Sequence, residues 1–394
     1  MVTRKCPICS SKESEKVYRQ HFSGLSEGGL FDGYDVVVCS ECGFGFADDI
    51  PDQSVFDEYY KQMSKYEKEY MGGQVSESTL STYREIVKTV STVLTDKQAR
   101  ILDVGCATGA LLAEFKKSGY QNVTGLDPSS SCASTAQKLY GIRVLNCAVS
   151  ELSEFETAFD FLILNDVLEH IRNLNSSLQL MRGLLKPNGM IWIEVPDVSL
   201  FSQYISAAFQ QFSVEHINFF SPTSLANLIQ QNGFETVGIW QNARQVETII
   251  DPALSAIFKI TEKKPAKLTV DRKTKSSMLE YIEKSFQVDS GILQKIEAIV
   301  ASGKEIIVWG VGTHTQRLLA TSHLGKAKIR AFVDSNARYQ GKQLNNVPIL
   351  PPEKIKGMHE TIMISSCMYQ EEIAGQIRND FGLPNEISRL YEAG

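Results

Sequence analysis

Two Glu-His dipeptides, four cysteines in two pairs and a glycine-bearing turn are where residue type and spacing in this chain could do chemistry. Glu169-His170 and Glu215-His216 each set an imidazole beside a carboxylate that can raise its basicity and fix its tautomer. Such a histidine can take a proton from a substrate, or it can simply cap or pack against a helix. Cys6-Pro-Ile-Cys9 and Cys39-Ser-Glu-Cys42 are spaced so that both sulfurs of each pair can reach one ion. Four thiolates in a tetrahedron form the closed, structural kind of Zn2+ site. The turn lies in Arg100-Ile-Leu-Asp-Val-Gly-Cys-Ala-Thr-Gly109. There Gly105 and Gly109 leave room for a ligand to lie against the backbone, and the helix that follows offers its amino end to an anion.

These residues need elements to hold them. An apolar strand runs into Asp103, and an apolar helix pattern follows over 110–115. Val123-Thr-Gly-Leu-Asp127 is a second strand ending in a carboxylate, placed where a ribose diol would be gripped. Further strands are expected at 143–146, 159–166 and 190–195, the last after Lys186-Pro-Asn-Gly189. Strands alternating with helices imply a doubly wound α/β sheet whose ligands sit at the strands' carboxyl ends. Upstream, Tyr59, Tyr60 and Tyr66 precede a helix expected around 78–94. They either wall a substrate or pack the cysteine module on the next domain.

At 394 residues and 43% hydrophobic, the chain can bury sizeable cores and is expected to form two or three domains. A net charge of −6 and the lack of a Lys/Arg stripe with interleaved aromatics argue against nucleic acid as a partner. No apolar run is long enough to span a bilayer, and the first residues lack the apolar centre of a secretory signal. The paired cysteines suggest metal rather than disulfides, so a reducing, cytoplasmic setting is expected.

The succession from 99 to 197 resembles the class I S-adenosylmethionine-dependent methyltransferases. That resemblance implies S-adenosylmethionine as cofactor, held by Asp103, Gly105, Cys106, Gly109, Asp127, Pro128, Ala148 and Asn165. Asp127 would meet the ribose, Pro128 would flank the adenine, and a backbone N–H near Ala148 would contact the ring. Asp103 would either order the loop or meet the methionine amino group. Cys147 stands where that family usually has an acidic residue.

Taken whole, the layout resembles the zinc-containing sugar C-methyltransferases, which act on nucleoside-diphosphate 4-keto-deoxyhexoses. It comprises a four-cysteine module, a methyltransferase domain with a late Glu-His, and a further nucleotide-type fold. The resemblance makes His216 the base that takes the C3 proton, with Glu215 orienting it and His170 as a second polar group near the sugar. Ser213 stands where that family has a tyrosine. A nucleotide-sugar is thus the expected small-molecule substrate. O- or N-methyl transfer to another small metabolite, and a non-catalytic metabolite-binding role, are the rivals.

The remainder repeats the strand-and-glycine theme. Glu305-Ile-Ile-Val-Trp-Gly-Val-Gly312 runs into a second turn, and a strand ending in Asp334 follows. The turn lacks the final glycine of a dinucleotide fingerprint, so NAD is not expected. Either Gly310, Gly312 and His314, with Tyr66 elsewhere, contact the sugar nucleotide, or the domain is a scaffold. The expected parts are a zinc module over 1–75, the methyltransferase domain over 76–242 and a smaller Rossmann-like domain over 243–394.

Overall fold

The structure, a computed structural model, describes residues 3–25, 29–62, 75–154, 158–246 and 249–391. The chain divides into two compact units. One holds Met1–Val17, Val36–Tyr204 and Glu215–Met278; the other holds Tyr18–Asp35, Ile205–Val214 and Leu279–Gly394. No helix among the described residues is long and apolar enough to cross a membrane.

The first unit is built on a seven-stranded sheet. Its spatial order is Phe234–Val246, Ile249–Ile260, Leu185–Pro196, Phe159–Asn165, Ile101–Val104, Val123–Leu126, Val144–Leu145. The five strands from Leu185–Pro196 to Val144–Leu145 pair in parallel. Strands buried on both faces should read as nearly continuous apolar runs, with alternate residues serving opposite cores. Phe159–Asn165 does this: Leu162 and Leu164 enter one core, Phe161 and Ile163 the other. From Ile101–Val104 the chain winds outward through Val123–Leu126 to Val144–Leu145, then returns to the other side at Phe159–Asn165. That reversal opens a crevice at the strands' carboxyl ends.

The expected boundary at 242 falls inside the strand Phe234–Val246. This strand and Ile249–Ile260 form an antiparallel hairpin that docks on Leu185–Pro196, so the sheet of the first unit runs on to residue 260. The physical reason is the apolar run from Ala253 to Phe258, which is fully buried between its neighbours. The cysteine pairs fall in the same compact unit as this sheet.

The second unit has a six-stranded sheet of order Gln343–Leu344, Val347–Leu350, Lys328–Val333, Glu305–Trp309, Thr361–Ile364, Ile387–Arg389. All its pairings are parallel except the first.

Candidate functional site

The glycine turn after Ile101–Val104 is shaped by its own backbone. Gly105 has φ 76°, and a Cβ there would lie 2.8 Å from Val167 Cγ2. Gly109, at the start of helix Ala110–Lys117, has φ 80° and would crowd Ala136 at 3.1 Å. Both positions therefore demand glycine before any ligand is considered. The amides of Gly105 and Cys106 bond Leu126 O, tying the turn to the neighbouring strand. Asp127 then draws two loops together, accepting from Ala107 N on one oxygen and from Ser129 N on the other, each at 2.9 Å. Asp103 lies behind the turn, 3% exposed; burial, reinforced by the charge of Asp127, holds its carboxyl well above the usual carboxylate range.

A cleft of about 920 Å3 opens at this edge, lined by Gly105, Asp127, Pro128, Ala148, His170 and Glu215 among others. Helix Gln53–Gln62 contributes Gln53, Asp57 and Tyr60 to its wall. Asp103, Cys106, Gly109 and Asn165 stand outside that lining. Cys106 is buried with its sulfur against Gly125, and Asn165 donates to Asp166 Oδ2 at 3.1 Å. The Ala148 N–H, expected to meet an adenine ring, instead donates to Glu151 Oε2 at 2.7 Å. The tight 3-10 turn Val149–Glu154 brings that carboxylate back over the strand end.

The two Glu-His pairs, 46 positions apart in the chain, meet beside this cleft, whose lining includes His170 and Glu215 but not Glu169 or His216. Backbone bonding explains it: Ile217 N donates to Glu169 O, and the Asn218 side chain donates to the carbonyls of Leu168 and Ile171. The His170 and His216 rings lie 5.0 Å apart, edge to face. His170 Nδ1 is 3.0 Å from the backbone carbonyl of Glu215 and 3.1 Å from the Tyr60 hydroxyl. Its Nε2 lies 3.8 Å from the carboxylate of Glu169, which is 1% exposed. Tyr59 donates to Glu215 Oε1 at 2.9 Å. Glu215 thus engages Tyr59 through its carboxylate and His170 through its carbonyl, cross-contacts the sequence does not announce. Tyr59 and Tyr60 belong to this cluster; Tyr66 lies outside the described residues. The arrangement gathers two imidazoles, two carboxylates and two phenols in one cluster, of which Tyr60, His170 and Glu215 line the cleft; such groups can remove a proton and stabilise the charge it leaves.

Arg244 is a residue the sequence reading missed. It grips Asp166, which lines the cleft, and Glu194, with contacts of 2.7–2.9 Å. Burial works against its charge, but Asp166 and Glu194 outweigh that and hold the guanidinium firmly ionised. The only hint was an arginine in a strand bordering the core; its partner is 78 residues away.

The four cysteines do meet. Their sulfurs lie within 4.8 Å of one another, with Cys6–Cys42 at 3.5 Å and Cys9–Cys39 at 3.4 Å. A tetrahedron of Zn–S bonds of about 2.3 Å sets sulfurs roughly 3.8 Å apart. The spacing and the all-sulfur donor set therefore fit that ion.

In the second unit, Gly310 has φ 103° and approaches Ser365 O, while Gly312 faces open space. Asp334 accepts from Val311 N and Asn336 N, repeating the pattern of Asp127 in the other unit. His314 lies 2.8 Å from the Tyr391 hydroxyl; enclosure, aided by the charge of Arg317, lowers its imidazole to about 3. It is therefore neutral at physiological pH and brings no charge to a phosphate. Arg317, one turn further along the helix from His314, is buried and bidentate to Asp289 at 2.7 and 2.6 Å. Its charge is spent inside the fold.

Residues 77–239 match a family model described as a methyltransferase domain, and 302–387 one described as C2185-like, N-terminal. The C-methyltransferase NovU of Streptomyces niveus is 23% identical over 336 residues, spanning 82% of this chain and 77% of that protein. The human mitochondrial ubiquinone biosynthesis O-methyltransferase is 30% identical over 154 residues, but these cover 34% of this chain and 41% of the relative. Among solved structures, 1,6-didemethyltoxoflavin-N1-methyltransferase of Burkholderia thailandensis, with bound S-adenosylhomocysteine, aligns at 18% identity. That alignment covers 57% of this chain and 97% of the other, with a TM-score of 0.41. The chain thus carries a methyltransferase domain over the matched residues 77–239.

Proposed function

We propose that the enzyme methylates carbon, at C3 of a nucleoside-diphosphate 4-keto-deoxysugar, with His216 as the base. The observation that carries this reading is the clustering of both Glu-His pairs with Tyr59 and Tyr60 at the edge of the cleft, into which Tyr60, His170 and Glu215 open. An oxygen or nitrogen nucleophile asks for little more than a proton acceptor, whereas a carbon nucleophile also needs support for an enolate. The alignment to a C-methyltransferase over most of both chains points the same way.

Asp127 takes the ribose hydroxyls, Pro128 and Ala148 border the adenine, and the amino end of helix Ala110–Lys117 faces the methionine carboxylate. When bound, the donor supplies an electrophilic methyl on a positively charged sulfur that leaves with the bonding pair. His216 removes the proton from C3, and the electron pair passes toward the C4 ketone as an enolate. The carbanionic C3 then forms the new C–C bond. Glu215, anchored by Tyr59, sets the adjoining imidazole; His170, held by Tyr60 and the Glu215 carbonyl, is a second polar group near the sugar. Cys6, Cys9, Cys39 and Cys42 hold a structural zinc ion.

The test supplies methyl-labelled S-adenosylmethionine and a panel of nucleotide 4-ketosugars in D2O. The expected result is label transfer with exchange of the C3 hydrogen, the exchange vanishing in His216→Ala. Methylation without exchange would assign O- or N-transfer instead, and no transfer to any ketosugar would remove the sugar assignment.

A further inference from the structure

The Arg244 cluster has a geometry that the roles above leave unused. Asp166 follows strand Phe159–Asn165 with φ 56°, a left-handed conformation uncommon for a residue bearing a Cβ. Its amide bonds Glu194 O at 2.9 Å, fixing the backbone. Its carboxylate receives Arg244 Nη1 at 2.9 Å and Nη2 at 2.7 Å, the forked contact that a lysine cannot reproduce. Arg244 Nη1 also reaches Glu194 Oε1 at 2.7 Å, and Ser255 donates to the other oxygen of Glu194 at 2.6 Å. Every part of this chain of bonds lies within the first unit.

Its place on the sheet gives it a purpose. Asp127 and Pro128 follow Val123–Leu126, on one side of Ile101–Val104; Asp166 follows Phe159–Asn165, on the other. An adenosyl group seated over the first side extends its amino-acid tail across the glycine turn toward the second. The cluster there forks one guanidinium onto the Asp166 carboxylate, whose remaining lone pairs can accept a bond from a cation. Burial raises the Glu194 carboxyl against the pull of Arg244. That leaves Asp166, on the cleft wall, as the carboxylate facing the ligand.

We propose that Arg244 is a positioning residue that holds the Asp166 carboxylate ready for the α-ammonium group of the methyl donor. The proposal rests on the donor-binding reading above. A carboxylate fixed in advance loses no side-chain freedom when the ligand arrives, and its spare lone pairs still accept a charge-assisted bond.

Calorimetry on the full chain tests it with two probes, S-adenosylhomocysteine and the same molecule lacking its α-amino group. Wild-type protein should bind the first at least about tenfold more tightly, the worth of one charge-assisted hydrogen bond. Arg244→Gln and Asp166→Asn should each weaken S-adenosylhomocysteine by about tenfold while moving the deamino probe less than about twofold. Arg244→Lys should fall between, having kept the charge and lost the fork. A merely structural arginine would weaken both probes alike; that result, or an unchanged ratio in Arg244→Gln, overturns the proposal. Should Arg244→Gln fail to fold, Arg244→Lys and Asp166→Asn make the same comparison. Wild-type protein that takes up neither probe would instead bring down the donor-binding reading itself.

Discussion

Asn218 is 2% exposed and acts as a knot between the two Glu-His segments. Its Nδ2 donates to Leu168 O at 2.8 Å and Ile171 O at 2.7 Å, and its Oδ1 accepts from Arg4 Nη2 at 2.9 Å. Replacing it with alanine removes three buried bonds, one of them to a charged group. Net losses of about 1 kcal/mol for each neutral bond and about 1.5–3 for the charged one sum to roughly 3.5–5 kcal/mol. In a domain of this size that is a fall in melting temperature of roughly 7–20 °C. The glycine turn and Asp127 lie on other elements, so S-adenosylhomocysteine affinity at a temperature where the variant is folded should change less than about twofold. Differential scanning calorimetry and titration calorimetry read the two quantities on one preparation. A loss below about 1 kcal/mol would refute the claim that this side chain ties the segments together. A large loss of donor affinity in folded Asn218→Ala would refute the separation of the two halves of the site.

Tyr59→Phe removes the bond to Glu215 but keeps the ring; it should lower kcat about 3- to 10-fold with little change in S-adenosylhomocysteine affinity, measured by turnover and calorimetry. Metal analysis should find one zinc per chain, and Cys39→Ser with Cys42→Ser should lose it together with much of the thermal stability of the first unit. His314 has an ordinary value of 6.5 and is held near 3 in the fold, so the unfolded chain binds the extra proton between those limits. Stability should therefore fall as pH drops from about 6.5 toward 3, and His314→Gln should flatten that part of a urea-unfolding curve measured against pH. Parallel curves for the two proteins would contradict the depressed value.

Much of the fold was legible because local patterns set it. The run from Ile101 to Val104 is apolar and ends in a glycine turn, and the helix expected over 110–115 appears as Ala110–Lys117. The helix expected around 78–94 appears as Glu77–Ser91, capped by Ser76. In the second unit, Glu305–Trp309 and the strand before Asp334, Lys328–Val333, were equally plain. The hairpin of Phe234–Val246 with Ile249–Ile260 was not. The first of these strands is polar and half-exposed, and nothing local tells a buried run such as 253–258 which sheet it will enter.

The candidate site divides along the same line. Spacing alone marked the four cysteines, the glycine turn and both Glu-His pairs, because ligand geometry and turn geometry act over a few residues. Only the folded chain could bring His170 within 5.0 Å of His216, set Tyr59 on Glu215, give the Ala148 amide to Glu151 and lock Arg317 onto Asp289. Each of these contacts, the turn at Ala148 aside, joins residues 28 to 156 positions apart. Which donor meets which acceptor then depends on packing and burial, and neither is written in any short stretch of sequence.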